Sequence, residues 1–418
     1  MRKKYGIRHD APAMTGRVPR QYPWLCEDRH CDLCVIGGGL TGALCLLSAA
    51  RTGLSAVLIT SEGLGFGDTG HNAGCAEFSA GRTLTGLDRI MSADDALCLF
   101  ADGFGALDHL QNLCAGLDAE FRNSGVGSGF ERRDSLLFTS DPTLLELLEN
   151  EYLALRRKFP DAAFISGQTA GSVFEADMRA GILTKEGSAV LDHYALTHLC
   201  AMEASRLGAE IFERTEALDI QTPRNESGSV IVMTSTHRCV YADRLIFAAG
   251  SEGLEAIFRR TKKLCSCTVA RRLSSDQTGW AGKCCLRTFG AGPVNCCISR
   301  DGLISAVSCR KDGLLPALSK AADRDPEYGR LDRRILSLIS QPSSGDPDYQ
   351  YRYAFSAAHD GLPVIGTHRD YKNCFFALPG QGNGAGSAVY SVQAAEAAEA
   401  FLTGKNYRIS NYFNPERI

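Results

Sequence analysis

Residues 34–44 read CVIGGGLTGAL and place Gly37, Gly39 and Gly42 in the spacing GxGxxG. In a dinucleotide-binding turn the first glycine allows a tight bend, and the second lets a pyrophosphate approach the backbone. The third glycine lets the following helix pack closely against the strand. The motif therefore predicts a nucleotide-binding turn, provided that a strand precedes it and a helix follows.

The residues around the motif supply that context. Residues 31–36 are typical of a buried strand, 40–51 of a helix, and 55–60 of a second strand, which together predict a βαβ unit. In such sites an acidic residue about 20 positions after the motif usually binds the ribose hydroxyls. Glu62 meets that spacing, although it lies beyond the predicted strand, where a solvent-exposed loop residue is the alternative.

Composition narrows the class of protein. The chain has 418 residues, 44% hydrophobic and 22% charged, with a net charge of -3. Length predicts two or three domains, and the charge predicts no preference for nucleic acid. Seventeen cysteines without a framework spacing indicate a reducing cytoplasm, and no metal cluster is expected. The apolar stretch 31–50 contains Asp32 and four glycines, so we expect neither a signal peptide nor an integral membrane span.

A family resemblance rests on motifs that occur in a fixed order, CVIGGGLTGAL at 34–44, LGFGDTGHNAG at 64–74, RLIFAAG at 244–250, and DGLPVIG at 360–366 followed by FALPGQGNG at 376–384. Together they resemble the FAD-dependent D-amino acid oxidase (DAO) superfamily, which includes glycine and sarcosine oxidases. The resemblance spans about residues 22–404 and is more specific than GxGxxG alone.

The resemblance implies an α/β (α+β) two-domain flavoprotein. A Rossmann-like FAD-binding domain would carry a substrate domain built on an antiparallel sheet over the flavin face. We assign an N-terminal extension to 1–30, the discontinuous FAD-binding domain to 31–82, 187–262 and 350–418, and the substrate domain to 83–186 and 263–349.

The resemblance also implies which residues bind FAD. Ala217 would hold the adenine through its backbone, and the amides of Gly382, Asn383 and Gly384 would face the flavin pyrimidine edge. A helix predicted at 385–402 begins at that loop, and the partial positive charge of its N-terminus favours anionic reduced flavin. The expected cofactor set is completed by Gly37, Gly39, Gly42, Glu62, Gly67, His71 and Gly250.

His71 departs from the pattern of many relatives, which carry arginine at the matching position. In the dimethylglycine and sarcosine dehydrogenase branch, a histidine there is bonded covalently to the flavin. We therefore predict covalent attachment of FAD through His71, with a histidine that only donates a hydrogen bond near the cofactor as the alternative. No cysteine lies between Gln341 and Asn373, where the sarcosine oxidase pattern would place a cysteinyl link.

The substrate pocket cannot be transferred from relatives, because Asn295 and Cys297 stand where many of them carry tyrosine and arginine. Arg352 could pair a substrate carboxylate bidentately, and Tyr353 or His359 could donate a hydrogen bond or take a proton. We name these three as catalytic candidates, with a structural role as the alternative for each.

The sequence thus predicts a cytoplasmic FAD-dependent oxidoreductase that oxidises the C–N bond of an amine or amino acid by hydride transfer to flavin. Oxygen or another acceptor would reoxidise it. One alternative is a flavin-binding protein of the same fold that has lost turnover and acts as a partner or sensor. A nicotinamide-dependent dehydrogenase is the other, but no strand follows the helix after GQGNGA at 380–385, so no second βαβ unit forms there.

Overall fold

A computed structural model describes residues 20–167, 169, 178–223, 228–272, 284–290, 292–299, 302–310, 326–337, 346–380, 384–406 and 409–418. Within these ranges the chain forms two sheets with helices packed against them. In chain order the helices are α1 (Leu40–Arg51), α2 (Leu84–Leu87), α3 (Ala93–Glu120), α4 (Leu145–Leu155), α5 (His193–Arg206), α6 (Gly250–Ile257), α7 (Pro326–Leu336) and α8 (Ser387–Thr403). Single 3-10 turns occur at Asp68–His71, Pro142–Leu144, Asn411–Phe413 and Pro415–Arg417.

Strands are likewise numbered in chain order, and those of the first sheet are β1 (Arg29–Ile36), β2 (Ala56–Ile59), β7 (Glu210–Phe212), β8 (Ala217–Gln221), β9 (Val230–Thr234), β10 (Cys239–Phe247), β16 (Val364–His368) and β17 (Tyr371–Leu378). Their order is β16-β17-β10-β1-β2-β7, with β9 paired to β10 and β8 to β9. The neighbours from β17 to β7 run parallel, as in a dinucleotide-binding sheet.

The second sheet contains β3 (Cys75–Glu77), β4 (Glu131–Thr139), β5 (Ala163–Ser166), β6 (Ala180–Val190), β11 (Thr261–Arg272), β12 (Cys284–Thr288), β13 (Val294–Ile298), β14 (Leu303–Arg310) and β15 (Tyr349–Ala358). Its order is β15-β11-β14-β13-β12-β4-β6-β3, with β5 on β6. All described neighbours are antiparallel except β12 and β4. The expected mixed α/β architecture, with one mainly parallel and one mainly antiparallel sheet, is confirmed.

The predicted βαβ unit corresponds to β1, α1 and β2. The last four residues of β1 and all of β2 are buried, as expected for strands covered on both faces. Helix α1 buries ten of its 12 residues because it packs between α5 and α8. This packing fixes the direction in which the N-terminus of α1 points.

Aspartate side chains cap two of the helical segments. Helix α4 is preceded by the 3-10 turn Pro142–Leu144, which Asp141 caps by accepting a hydrogen bond from Thr143 N at 2.9 Å. Asp192 caps α5 in the same way through Ala195 N.

Two strands of the second sheet come from segments that were assigned to the FAD-binding domain. Strand β3 lies within 31–82, and β15 lies within 350–418 except for its first residue, Tyr349, yet both strands belong to the second sheet. They are points at which the chain passes from one sheet to the other. Among the described residues, no helix is both long enough and apolar enough to cross a membrane.

Candidate functional site

The glycine turn after β1 needs residues without a side chain. Gly37 has a φ of +121°, and a Cβ there would lie 2.3 Å from the carbonyl oxygen of Ala248. A Cβ on Gly42 would lie 1.8 Å from the oxygen of Gly37. These two glycines therefore allow α1 to pack tightly against β1 and the end of β10.

The N-terminus of α1 faces the second glycine-rich segment, residues 64–74. Gly39 is the N-cap of α1 and supplies no side-chain cap, while Leu40 N donates to Thr69 Oγ1 at 3.0 Å. Gly65 N donates to Gly38 O at 2.8 Å. A helix N-terminus of this kind attracts an anionic group such as a pyrophosphate, because several amides and the helix dipole point toward it.

Gly67 lies on the open side of that segment. A Cβ built on Gly67 meets none of the described atoms within 4 Å, and the residue is exposed. A ligand can therefore approach the backbone here closely. The predicted cofactor residues Gly37, Gly39, Gly42 and Gly67 are thus brought together around one helix terminus.

Asp68, which the sequence did not single out, ties this segment to α6. Its carboxylate accepts from Ser251 N at 3.0 Å and from Ser251 Oγ at 2.8 Å, and Tyr353 Oη also donates to it. Gly250 lies directly beneath, with a φ of +56° and a Cβ position 2.9 Å from Asp68 Oδ2. Gly250 therefore makes room for the carboxylate at the N-terminus of α6.

His71 is buried, with 6% of its surface exposed. Its Nδ1 lies 3.0 Å from Gly67 O, so Nδ1 carries the proton in the neutral ring and Nε2 is the basic nitrogen. The ring stacks on Tyr353 with centroids 4.1 Å apart and planes 13° from parallel. Tyr351 Oη donates to His71 O at 2.9 Å. Strand β15 therefore contacts both the ring and the backbone carbonyl of His71.

Tyr351 and Tyr353 project from the same face of β15. Burial raises the pKa of Tyr351 to about 12. Burial and the neighbouring Asp68 raise the pKa of Tyr353 well above its usual value. Both hydroxyls therefore stay protonated at neutral pH and act as hydrogen-bond donors.

The other two catalytic candidates lie elsewhere. Arg352 points to the opposite face of β15, where its guanidinium is 5.9 Å from the ring centroid of Tyr328 in α7. His359 follows the end of β15, is exposed, and donates its backbone N–H to Arg260 O. The structure thus brings Tyr353 to His71 but does not bring Arg352 or His359 there.

The segment 64–74 also meets the start of α8. Asn72 is buried, and its Nδ2 donates to Ser387 Oγ at 2.7 Å and reaches Gly384 O at 3.5 Å. The predicted cofactor residues Gly382 and Asn383 lie outside the described residues. Gly384 is described and lies next to the first turn of α8, which starts two residues later than the sequence predicted.

Glu62 and Ala217 lie on two adjoining segments at the end of the first sheet. Glu62 is exposed beyond β2, and its carbonyl accepts from Arg214 N at 3.3 Å. Thr215 N donates to Thr60 O at 2.8 Å, which draws the start of β8 at Ala217 toward the same region. This is the side on which a ribose and adenine would follow a pyrophosphate bound at α1.

Solved structures share this fold. Glycine oxidase from Geobacillus kaustophilus superposes with a TM-score of 0.75 at 15% identity, covering 93% of this chain and 99% of that one. L-amino acid deaminase from Proteus vulgaris, solved without its specific insertion sequence, gives a TM-score of 0.72 at 15% identity, covering 97% and 99%.

Sequence relatives match over shorter regions. Gamma-glutamylputrescine oxidoreductase of Escherichia coli (strain K12) is 35% identical over 75 residues, which is 18% of this chain and 18% of that protein. Probable oxidoreductase OrdL of Rhizobium meliloti (strain 1021) is 24% identical over 238 residues, 54% of this chain and 51% of that protein. The matches therefore cover about half the length of these relatives or less.

A sequence model of one family covers most of the chain and agrees with the predicted resemblance. It matches residues 32–396, from within β1 to within α8. The glycine turn, the segment 64–74 and the start of α8 all lie inside that match. The chain belongs to the FAD dependent oxidoreductase (DAO) family.

Proposed function

We propose that this protein is an FAD-dependent oxidoreductase that oxidises the C–N bond of an amine or amino acid and passes the electrons to oxygen or another acceptor. The observation that carries this proposal is the convergence of the glycine turn, the N-terminus of α1 and segment 64–74 in a chain of the DAO family. Glycine oxidase and L-amino acid deaminase share the fold, and both are enzymes of amino acids, which supports an amine or amino acid as the substrate class.

The residues present fit the cofactor. The α1 terminus at Gly39 would hold the pyrophosphate, Gly67 would let the chain of the cofactor pass, and Ala217 would face the adenine. The N-terminus of α8 beside Gly384 would stabilise negative charge on the flavin pyrimidine edge. Bound FAD would supply the capacity to accept a hydride, which no side chain has.

The protein's own side chains would hold the site in one conformation and exclude water from it. Tyr351 and Tyr353 fasten His71 and Asp68 to β15, so segment 64–74 is held from the side of the second sheet. An amine that enters a buried pocket loses solvation, which lowers its pKa and favours the neutral form that can be oxidised. Arg352 and His359 are not retained in the proposed site, because neither is placed near His71.

We further propose that His71 is the covalent attachment point for FAD. Its Nδ1 faces Gly67 O, so the basic Nε2 is the nitrogen suited to carry a substituent. Stacking on Tyr353 holds the ring in one orientation. A fixed, buried imidazole next to the open backbone of Gly67 is the arrangement that an attachment point requires.

The test is the visible spectrum of the purified protein, read again in pellet and supernatant after acid precipitation. We expect flavin absorption in the pellet for the wild type and in the supernatant for His71→Ala. The exposed His109→Ala is the control and should keep the colour in the pellet.

Each other outcome removes a different part of the proposal. Colour in the wild-type supernatant would contradict covalent attachment and leave FAD binding intact. A colourless protein that also fails to take up added FAD would contradict the proposal that the protein binds FAD.

Anaerobic mixing with a panel of amines and amino acids tests the substrate class. If none bleaches the flavin, the proposed turnover is wrong and the binding protein without turnover becomes the better reading.

A further inference from the structure

A buried ion pair lies between β3 and β12. Glu77 ends β3, Arg287 lies in β12, and the two residues are 4% and 5% exposed. Arg287 Nε lies 3.0 Å from Glu77 Oε2, and Arg287 Nη2 donates to Glu77 Oε1 at 3.3 Å. The guanidinium therefore faces both carboxylate oxygens. Neither residue belongs to the flavin site proposed above.

Neighbouring groups bond the remaining polar atoms of the pair. Ser135 Oγ donates to Glu77 Oε1 at 2.8 Å. Arg287 Nη2 also donates to Ser79 Oγ at 3.2 Å and to the carbonyl of Arg82 at 2.9 Å. Burying two charges can cost more free energy than their attraction returns, and apolar side chains of similar volume often stabilise a protein as well or better. Net stability alone therefore does not account for the pair.

The pair is joined to the start of α8. Glu77 N donates to the carbonyl of Ala385, the residue after Gly384, at 3.1 Å. The turn that follows Glu77 packs on Gly386, the N-cap of α8, where a Cβ would lie 2.7 Å from Ala80 O. A movement of Glu77 would therefore move the N-terminus of α8.

The turn that contacts α8 has an unusual backbone conformation. Ala80 has a φ of +51°, in the left-handed region that a residue with a side chain rarely adopts. Such a residue persists where its surroundings determine the backbone. Glu77 O accepts from Ala80 N at 2.8 Å, and Arg287 bonds one residue on each side, Ser79 and Arg82. The ion pair thus helps to fix the turn that packs on α8.

We propose that Glu77 and Arg287 are positioning residues that hold the N-terminus of α8 against the flavin and thereby raise the reduction potential of the flavin. The inference rests on the proposed binding of FAD. A helix N-terminus stabilises negative charge, and the effect falls off within the first turn. The stabilisation of anionic reduced flavin therefore depends on how closely α8 approaches its pyrimidine edge. Both residues act through α8 and need no contact with the cofactor.

The test replaces both partners together, so that neither charge is left unpaired. In the double variant Glu77→Leu/Arg287→Met, apolar side chains fill the space and the net charge of the protein is unchanged. The matched control is Arg271→Met/Asp332→Leu, because that ion pair is also largely buried but joins β11 to α7. Circular dichroism shows which variants are folded, and flavin absorption shows which have bound FAD.

The reduction potential of each flavin-loaded protein is measured by anaerobic titration against a redox dye. In Glu77→Leu/Arg287→Met we expect the equilibrium to shift toward oxidised flavin by roughly twofold to fivefold, the effect of a helix terminus on a nearby charge. The control variant should match the wild type. An unchanged potential in the first variant, or an equal shift in the control, would overturn the proposal.

A milder variant decides the matter if the double variant does not fold. Arg287→Lys keeps the positive charge but cannot face both oxygens of Glu77 as a planar fork, so it should also lower the potential. A folded Arg287→Lys protein with the wild-type potential would contradict the positioning role and leave FAD binding intact. Wild-type protein that takes up no FAD would instead overturn the proposed function, and this inference with it.

Discussion

At the scale of single residues, Asp68 joins parts of the chain that are far apart in sequence. Its partners Ser251 and Tyr353 lie 183 and 285 residues away. No spacing rule connects such positions, so sequence reasoning could find the glycines around Asp68 but not its partners. His71 was singled out because many members of the family that the sequence resembles carry arginine at the matching position, and that signal needs the resemblance as well as the sequence.

We expect Asp68→Ala to destabilise the protein by about 3 kcal/mol. The substitution removes the acceptor at the start of α6, worth about 1 kcal/mol for a helix cap, and takes the charged acceptor from the Tyr353 hydroxyl, at about 1–3 kcal/mol. Asp68→Asn keeps one acceptor oxygen and should lose less. Thermal and urea unfolding measure both variants.

Tyr353→Phe is the matched control for that prediction, because it removes the hydroxyl and keeps the ring that stacks on His71. It should be milder than Asp68→Ala. An Asp68→Ala protein that unfolds like the wild type would show that the carboxylate contributes nothing to holding segment 64–74.

At the scale of elements, β15 separates Arg352 and Tyr353, which the sequence named together as catalytic candidates. The strand reads YQYRYAFSAA, with aromatic residues at 349, 351, 353 and 355. Alternate side chains of a strand face opposite sides, so Tyr351 and Tyr353 share one face and Arg352 takes the other. The alternation was visible in the sequence. Which face α7 would cover was not, because that depends on tertiary packing.

Helix α5 carries two buried histidines and makes stability depend on pH. Burial lowers the pKa of His193 to about 4, opposed by the backbone of Leu191. Burial also lowers the pKa of His198 to about 4, opposed by the backbone of Leu64. The unfolded chain binds these protons near pH 6.5, where the folded protein does not, so acid favours unfolding.

We therefore expect stability to fall as the pH drops from about 6.5 toward 4, by about 3 kcal/mol for each histidine. Melting temperatures recorded across this range would show the loss, and His198→Leu should flatten the slope. His237→Asn, at an exposed position with a φ of 59°, should leave the slope unchanged. Equal slopes for wild type and His198→Leu would rule out His198 as a contributor.

At the scale of the whole molecule, local and long-range features differ in how far they could be predicted. The unit β1–α1–β2 is contained in about 30 consecutive residues, and its pattern predicted it well. The pairings of β11 with β15 and of β4 with β12 join segments that are distant in the chain. No periodic pattern in the sequence predicts which distant strands pair. The family resemblance placed β4, β12 and most of β11 in the sheet of the substrate domain, but residues 350–418 were assigned to the FAD-binding domain, so the position of β15 in the second sheet was not predicted.

The proposed cofactor site draws on both sheets, so we expect FAD to stabilise the entire fold. With His71→Ala, whose flavin would be removable, we expect the melting temperature to rise when FAD is added back. FAD at 100 times its dissociation constant would raise the free energy of unfolding by about 2.7 kcal/mol. Riboflavin, which lacks pyrophosphate and adenine, is the control and should give a smaller shift. Equal shifts for the two ligands would argue against a pyrophosphate site at α1.

The position of β17 in the first sheet has a consequence for synthesis on the ribosome. One edge of β10 pairs with β9 at residues 239–242 and with β17 at 245–247. About 120 residues are translated between β10 and β17, which takes roughly 6–25 s at ordinary elongation rates. Throughout that interval, half of this edge is unpaired and open to the strands of other nascent chains. The growing polypeptide thus passes through a period of exposure to aggregation that ends only when β17 has been made.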